Sequence, residues 1–491
     1  MTRSTPRILT TGLVTLSAVL TAGLTAGLPG AAAASTGPAT GTRPAAVGHQ
    51  LRWSAARSHP VEDSYYPAEG DPGVDALHYR LDLDWRPRLH RLHGVATIVL
   101  RATRTAPTFQ LDLGAPLAVR SVQVDGRYVA TAHTGKTLHV RRQVRADHRY
   151  RVRIVYAGAP APVRAPASRS DMSGLGWHTT KSGQAWSMQE PFGAFTWYPC
   201  NDQPSDKAFY DVRLDVPGNW VGITNGRMTS RRRLHHRTIT RFHSSDPMAS
   251  YLTTIAIGPY RHFQQSGPHG VPMSYWVPRS RPQMMRPLRR TRATLRWLER
   301  RLGPYPFDQV GVVVVPAASA METQTMITLG AGNYRYGRWN VRATVAHELS
   351  HAWYGDTVTP TDWRDVWMNE GMAMYQQARF EVSHGHGTWR SWQRQWARDD
   401  QFWRNLYGPP GRYHHDEFAS INVYYCPALM YDRLRQRIGD RRFAQLVRAW
   451  PQRHRDTNQS RASYEAFWER NTGLDLGRFF RRWLMSRKSP A

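Results

Sequence analysis

The sequence predicts an α+β chain of two main domains: an all-β domain over residues 63–262, then a mostly helical domain over 263–488. Length is the first reason, since 491 residues exceed what one ordinary core organises. The second is a change of texture near residue 266, where short alternating runs give way to helical spacing. With 41% hydrophobic residues and 19 Trp, the chain can fill real cores.

The runs "LHYRLDLDW" (77–85), "GVATIVLRAT" (94–103) and "YRVRIVYAG" (150–158) alternate apolar and polar residues between turn signals, the period of half-buried strands. "FYDVRLDV" (209–216), "TITRFHSS" (238–245) and "YLTTIAIG" (251–258) continue the pattern, so the first domain is sandwich-like. After "SGPHGVP" (266–272), "RPLRRTRATLRWLERRLG" (286–303) is predicted helical and ends at Gly303. "QVGVVVVP" (309–316) is a short buried strand. Helices are expected near 340–354, 363–382, 389–404 and 424–438, with more to the end.

Residues 1–34 have the form of an export signal. Arg3 and Arg7 precede an apolar run (8–28), and small residues follow at 29–35. Residues 35–62, rich in Ala, Gly, Pro, Ser and Thr, are expected to form a flexible leader. No later segment approaches the roughly 18 unbroken apolar residues of a membrane span. A secreted protein without stable membrane insertion is therefore expected. Cys200 and Cys426 are too few for a disulfide framework or a thiolate metal cluster. The formal charge of +30 is nearly all arginine, with lysine only at 136, 181, 207 and 488. The arginines are scattered through every segment rather than gathered in a stripe, and no recognition motif accompanies them. Nucleic acid is thus not the expected partner; contact with anionic cell-wall polymers is the alternative use of such charge.

The chemistry concentrates in "VAHELSHAWYGD" (345–356). On a helix, His347 and His351 share a face and can reach one metal ion, with Glu348 beside them. Eighteen residues after His351, a second helix can return Glu370 to the same point, its start capped by Thr361 or Asp362. Two imidazoles and one carboxylate leave a fourth position open, the catalytic rather than the structural form of a zinc site.

"HELSHAWYGDTVTPTDWRDVWMNEG" (347–371) resembles the zinc segment of the aminopeptidase N family, gluzincins that include leukotriene hydrolase. "SAMETQTM" (319–326), "QEPFGAFTWYPCNDQPSDKAFYDV" (189–212) and "VYYCPALMYDRLRQRIGD" (423–440) resemble further segments of that family, in the same order. The resemblance covers about 65–485. It implies a β-saddle domain followed by a thermolysin-like catalytic domain, with one Zn2+ per chain held by His347, His351 and Glu370. It implies Glu348 as general base and Tyr424 as the donor to the oxyanion, with Tyr425 as the competing candidate. Glu322 and Glu190 would bind the free N-terminal ammonium of a peptide, ahead of Gln189, and Ala320 and Met321 would pair with its backbone.

The chain departs from the family pattern in three ways. Ser319 and Thr323 replace the usual Gly and Asn, which suggests a different first side-chain pocket. Cys426-Pro427 replaces Lys-Gly, a proline tolerable if it lies in the first turn of its helix. The larger members add domains that cover the cleft, so a more open cleft is expected here. If the residues flanking Cys200 and Cys426 line one cleft, these two can form an interdomain bridge; the alternative is two buried thiols. The function implied is a secreted zinc aminopeptidase. Competing readings are a zinc endopeptidase, a leukotriene-hydrolase-like epoxide hydrolase, and an inactive peptide-binding module.

Overall fold

The computed structural model describes residues 53–172 and 174–491. The expected signal segment and most of the expected leader lie outside the described residues. Among the described residues, no helix is long and apolar enough to cross a membrane.

The N-terminal half is built on a nine-stranded sheet. Its order is Arg227–Leu234, Arg237–His243, Lys207–Pro217, Val74–Arg86, Arg91–Ala102, Arg149–Gly158, Leu117–Val124 and Arg127–Tyr128, with Met248–Ala249 also paired to Lys207–Pro217. Neighbours are antiparallel except the central pair, where Val74–Arg86 runs parallel to Lys207–Pro217 with Tyr79 opposite Tyr210 and Leu81 opposite Val212. The alternation read from the sequence is the pleat: Leu81, Leu83 and Trp85 are buried, while Asp82 and Asp84 between them are partly exposed. A smaller sheet orders Val221–Thr224, Ile255–Gly258, Ala185–Met188 and Gly176–Thr179. Its third strand runs straight into Gln189 and Glu190.

Residues 53–62, assigned to the leader by composition, are held on this domain. Trp53 stacks on His78 at 5.6 Å, Ser58 N–H donates to Asp75 at 3.1 Å, and Val61 N–H donates to Ser205 at 3.0 Å. Specific side-chain acceptors on the sheet override a composition that by itself favours a loose chain.

The second half opens with a five-stranded sheet in the order Tyr260–Ser266, Pro272–Pro278, Val310–Val315, Ile327–Gly330 and Ala320–Met321. Val310–Val315 is buried throughout, as its unbroken apolar run requires. Ala320–Met321 is the edge strand. Helices α1 (Thr291–Leu302), α2 (Gly337–Ser350), α3 (Trp367–Ser383), α4 (Trp389–Tyr407) and α5 (Asn422–Ile438) pack beside it, followed by α6 (Asp440–Arg453), α7 (Arg461–Thr472) and α8 (Gly477–Met485). The β-rich half followed by a helical half is the architecture the sequence predicts.

Two expectations are corrected here. Pro427 is the sixth residue of α5, not part of its first turn. The ring is accommodated from outside, because it packs onto Gly371 of α3, where any Cβ would lie 2.6 Å from the proline ring. Cys200 and Cys426 are not bridged: both are buried free thiols. Cys200 sits in the β-domain core, its backbone paired with Asp112, and Cys426 faces Asp400 and Arg404 on α4. The flanking residues do line one cleft, but each cysteine side chain is directed into its own domain.

Candidate active site

Helix α2 brings His347 and His351 one turn apart, with ring centroids 4.9 Å apart. The helix then stops in a tight turn. Asp356 N–H donates to His351 O at 2.9 Å, and Gly355 adopts φ +136°, a conformation that favours glycine. The turn brings the Tyr354 carbonyl within 3.0 Å of His351 Nδ1. That carbonyl can only accept, so Nδ1 carries a proton and Nε2 is the nitrogen turned to Glu370.

The chain returns through Val358–Pro360 to the start of α3. Asp362, one of the two expected caps, accepts from Arg364 N–H at 2.9 Å and so caps the short turn Trp363–Asp365 that leads into α3, while α3 itself starts without a side-chain cap. The β domain contributes as well: Asp63 accepts from Trp363 N–H at 2.6 Å, and Ser64 Oγ donates to Asp362 at 2.9 Å. Helix α3 thus delivers Glu370 with its Oε2 3.1 Å from His347 Nε2 and 3.4 Å from His351 Nε2. These three residues are buried, and their donor atoms all lie within 4.8 Å of one another.

The remaining predicted residues converge on the same point. Glu348, Glu190, Glu322, Ala320, Met321 and Tyr424 all line one cavity of about 490 Å³ with the three donors. Oxygens of Glu190, Glu322 and Glu370 also come within 4.8 Å of one another. Glu190 Oε1 and Glu322 Oε1 are buried without a hydrogen-bond partner. Met321 Sδ accepts from Gln189 N–H at 3.5 Å, tying the two glutamate segments together. The Gln189 side chain turns away into the core, where it binds Trp197 Nε1 at 2.9 Å, Ser250 O at 3.1 Å and Thr253 Oγ1 at 2.6 Å. Tyr424 lies against His347, rings 5.8 Å apart. Tyr425, next on the helix, instead packs on Trp392 and Trp396 of α4.

Four glutamates in one buried cavity form an unbalanced charge cluster. Burial pushes the Glu190 carboxyl well up, with Glu322 and Glu370 adding to it. Burial likewise raises Glu348 well above its ordinary range, opposed by His351. Glu322 is raised by burial too. At Glu370, burial alone would raise the carboxyl, but His351 and then His347 outweigh it and hold it below the carboxylate range. A divalent cation at the His347–His351–Glu370 point fits this donor set, two imidazoles and one carboxylate suiting Zn2+. The orphaned oxygens of Glu190 and Glu322 fit a second, smaller cationic group beside it.

The sequence reading missed Arg169. It reaches the cavity from the segment after Arg149–Gly158, with Nη1 3.2 Å from the Tyr424 hydroxyl. Its surroundings, "APVRAPASRSD" (161–171), have the composition of a connecting loop. The two departures beside the cavity also resolve. Thr323 turns inward to Met326 O and to Thr328, whereas Ser319 lines the cavity.

Fold and donor set together define a two-domain protein of the zinc metallopeptidase class. The model of the Peptidase M1 N-terminal domain matches residues 75–252, and that of the Peptidase family M1 domain matches residues 287–483. The chain belongs to peptidase family M1. It is 27% identical to dog aminopeptidase N over 273 residues, 51% of this chain and 27% of that protein. It is 26% identical to Streptomyces lividans aminopeptidase N over 323 residues, 58% of this chain and 36% of that protein. The match to each of these curated relatives spans well under half of the relative's length. Among solved structures, the M1 zinc metallopeptidase of Deinococcus radiodurans superposes with a TM-score of 0.77 at 28% identity, covering 88% of this chain and 98% of that one. A two-domain M1 zinc metallopeptidase bound to L-tryptophan gives 0.78 at 28% identity, covering 88% and 99%.

Proposed function

We propose that the protein is a zinc aminopeptidase that removes N-terminal residues from peptides. The observation that carries this reading is the pair of buried carboxylates, Glu190 and Glu322, each with one oxygen left without a partner beside the metal-donor set. A free N-terminal ammonium supplies the charge and the donors this pair lacks, and its capture there places the first peptide bond at the reacting centre. An endopeptidase has no use for such a pair.

His347, His351 and Glu370 would hold the ion. When bound, Zn2+ polarises the scissile carbonyl and makes water a competent nucleophile near neutral pH. Glu348 takes a proton from the attacking water and returns it to the leaving nitrogen; burial has already raised its affinity for that proton. The Tyr424 hydroxyl donates to the oxygen on which charge develops. Ala320–Met321 is paired on one side only, to Ile327–Gly330, so its free edge can add an extended substrate strand. Secretion is part of the proposal and rests on the sequence of residues 1–34.

The test is hydrolysis of a panel of aminoacyl fluorogenic amides, each with a free and an N-acetylated amine, with and without chelator. Chelator-sensitive cleavage confined to free amines is the expected result. Cleavage of acetylated substrates would identify an endopeptidase, and zinc binding without any hydrolysis would identify a binding module.

A further inference from the structure

The mechanism above leaves a cation in the cavity wall unused. Arg169 belongs to the N-terminal domain, yet it ends in the cavity against a residue of α5. Its guanidinium is committed on three sides. Nε and Nη2 donate to the two oxygens of Asp171 at 3.0 and 2.7 Å. Nη1 donates to Ala419 O at 2.6 Å and to the Tyr424 hydroxyl at 3.2 Å. The guanidinium also lies 5.9 Å from the centre of the Tyr424 ring. Four of its five N–H groups have partners within the protein, so it is poorly placed to clamp a substrate carboxylate.

The bond to Tyr424 has a chemical direction. Arginine has donors only, so the tyrosine oxygen must accept. Its own proton therefore remains free for another acceptor, and the lone pair facing Arg169 is occupied. A phenol bonded in this way is oriented, with its proton available to the cleft and its oxygen polarised by an adjacent positive charge.

The rest of the loop is anchored to the same helix entrance. Ser168 Oγ donates to Glu417 at 2.7 Å, Phe418 N–H donates to Pro166 O at 2.8 Å, and Ser420 Oγ donates to the same Glu417 carboxylate at 3.2 Å. Val163 pairs with Leu175 to close the base of the loop. Asp171 lines the cavity together with Ser319, next to the edge strand. A chain of hydrogen bonds therefore runs from Asp171 through Arg169 to Tyr424, the group expected to meet the oxyanion.

We propose that Arg169 is a positioning residue for the reaction, holding the Tyr424 hydroxyl so that its proton is directed to the substrate oxygen. This role rests on the aminopeptidase reading given above. It differs from a purely structural one in acting through Tyr424 and in being felt when the carbonyl carbon becomes tetrahedral.

The experiment uses the zinc-loaded full chain and compares wild type with Arg169→Met, Arg169→Lys, Tyr424→Phe and the Arg169→Met/Tyr424→Phe double variant. Turnover of a free aminoacyl amide is measured with zinc content and melting temperature. In a Glu348→Gln background, calorimetry gives the affinity for a phosphinic dipeptide, a tetrahedral anion, and for a planar peptide. Arg169→Met is expected to lower kcat by roughly 10- to 100-fold, the range of one hydrogen bond to a charged group, with KM changed little. Phosphinate binding should weaken by a similar factor while planar peptide binding holds. The double variant should be no slower than Tyr424→Phe. Arg169→Lys, which keeps the charge but cannot span all three partners, should fall between and supplies the test if the methionine variant does not fold. Wild-type kcat in the variants, or an equal loss in the Tyr424→Phe background, overturns the role alone. A wild type that neither hydrolyses amides nor binds phosphinate overturns the function and this role with it.

Discussion

His351 Nδ1 is held 3.0 Å from the carbonyl oxygen of Tyr354, and that bond determines which ring nitrogen faces Glu370. It exists only because the chain turns sharply at Gly355, where a Cβ would come within 3.3 Å of the same Nδ1. Gly355→Ala therefore strains both the backbone and the imidazole. A non-glycine residue in such a conformation costs of order 1–3 kcal/mol. The variant should melt lower and lose zinc to a mild chelator before it unfolds. Wild-type metal retention and melting temperature would remove this account of the turn.

Glu348 lines the cavity but does not belong to the His347–His351–Glu370 donor set. Glu348→Gln should keep one zinc per chain and lose about 10²- to 10⁴-fold in kcat, the usual contribution of a positioned acid–base group. His351→Ala should instead lose the metal. Metal analysis beside steady-state kinetics separates the two, and a Glu348→Gln protein without zinc would contradict the assignment.

Glu190→Gln and Glu322→Gln remove charge from the expected ammonium site without removing bulk. Each should lower kcat/KM for free-amine substrates by roughly 10- to 100-fold, from the loss of one charge-assisted bond. Inhibition by an N-acetylated amide, which has no ammonium, should be unchanged, so the preference for the free amine falls. Wild-type kcat/KM for free amines in both variants would mean that the amine binds elsewhere.

Lys207 gives a pH signature in stability. Its ammonium crosses from the β domain to donate to Asp356 O at 2.8 Å and Thr357 O at 3.0 Å, just beyond the His351 turn. Burial lowers its pKa to about 8, with Asp456 and Asp356 opposing. The folded state disfavours the charged form, so the penalty is complete below pH 8 and is relieved as pH rises towards the ordinary value of about 10.4. The neutral amine retains two N–H groups for its two carbonyls. Relative to Lys207→Met, wild type should gain up to about 3 kcal/mol across this window. Urea midpoints of both proteins at pH 7.5, 9 and 10 test it; a constant difference would show that Lys207 titrates normally.

Cys200 and Cys426 should behave as two inert thiols. Burial raises both thiols well above their ordinary range, which disfavours the reactive thiolate. Native protein should resist alkylation, and unreduced, denatured protein should take up two labels. A two-hydrogen mass deficit would contradict the structure.

Much of this protein was determined by local sequence. Alternation over 77–85 and 150–158 specified strands because a pleat has a period of two. HELSH specified a donor pair because a helix repeats every 3.6 residues. The motif segments, taken with the family resemblance, pointed to Glu370, Glu322, Glu190 and Tyr424, far apart in the chain, and the fold brings all four to one cavity. Tertiary structure decided what depends on side-chain direction and on contacts across domains. Tyr424 and Tyr425 differ by one residue, and only the packing of α5 against α4 turns one into the cavity and the other into the core. The cysteines flank cleft residues yet stay unbridged, each buried as a free thiol. Pro427 is tolerated because Gly371 on another helix makes room for it. Arg169 lies in a loop without periodicity or motif, and its role follows from where that loop docks, a long-range contact that no local pattern encodes.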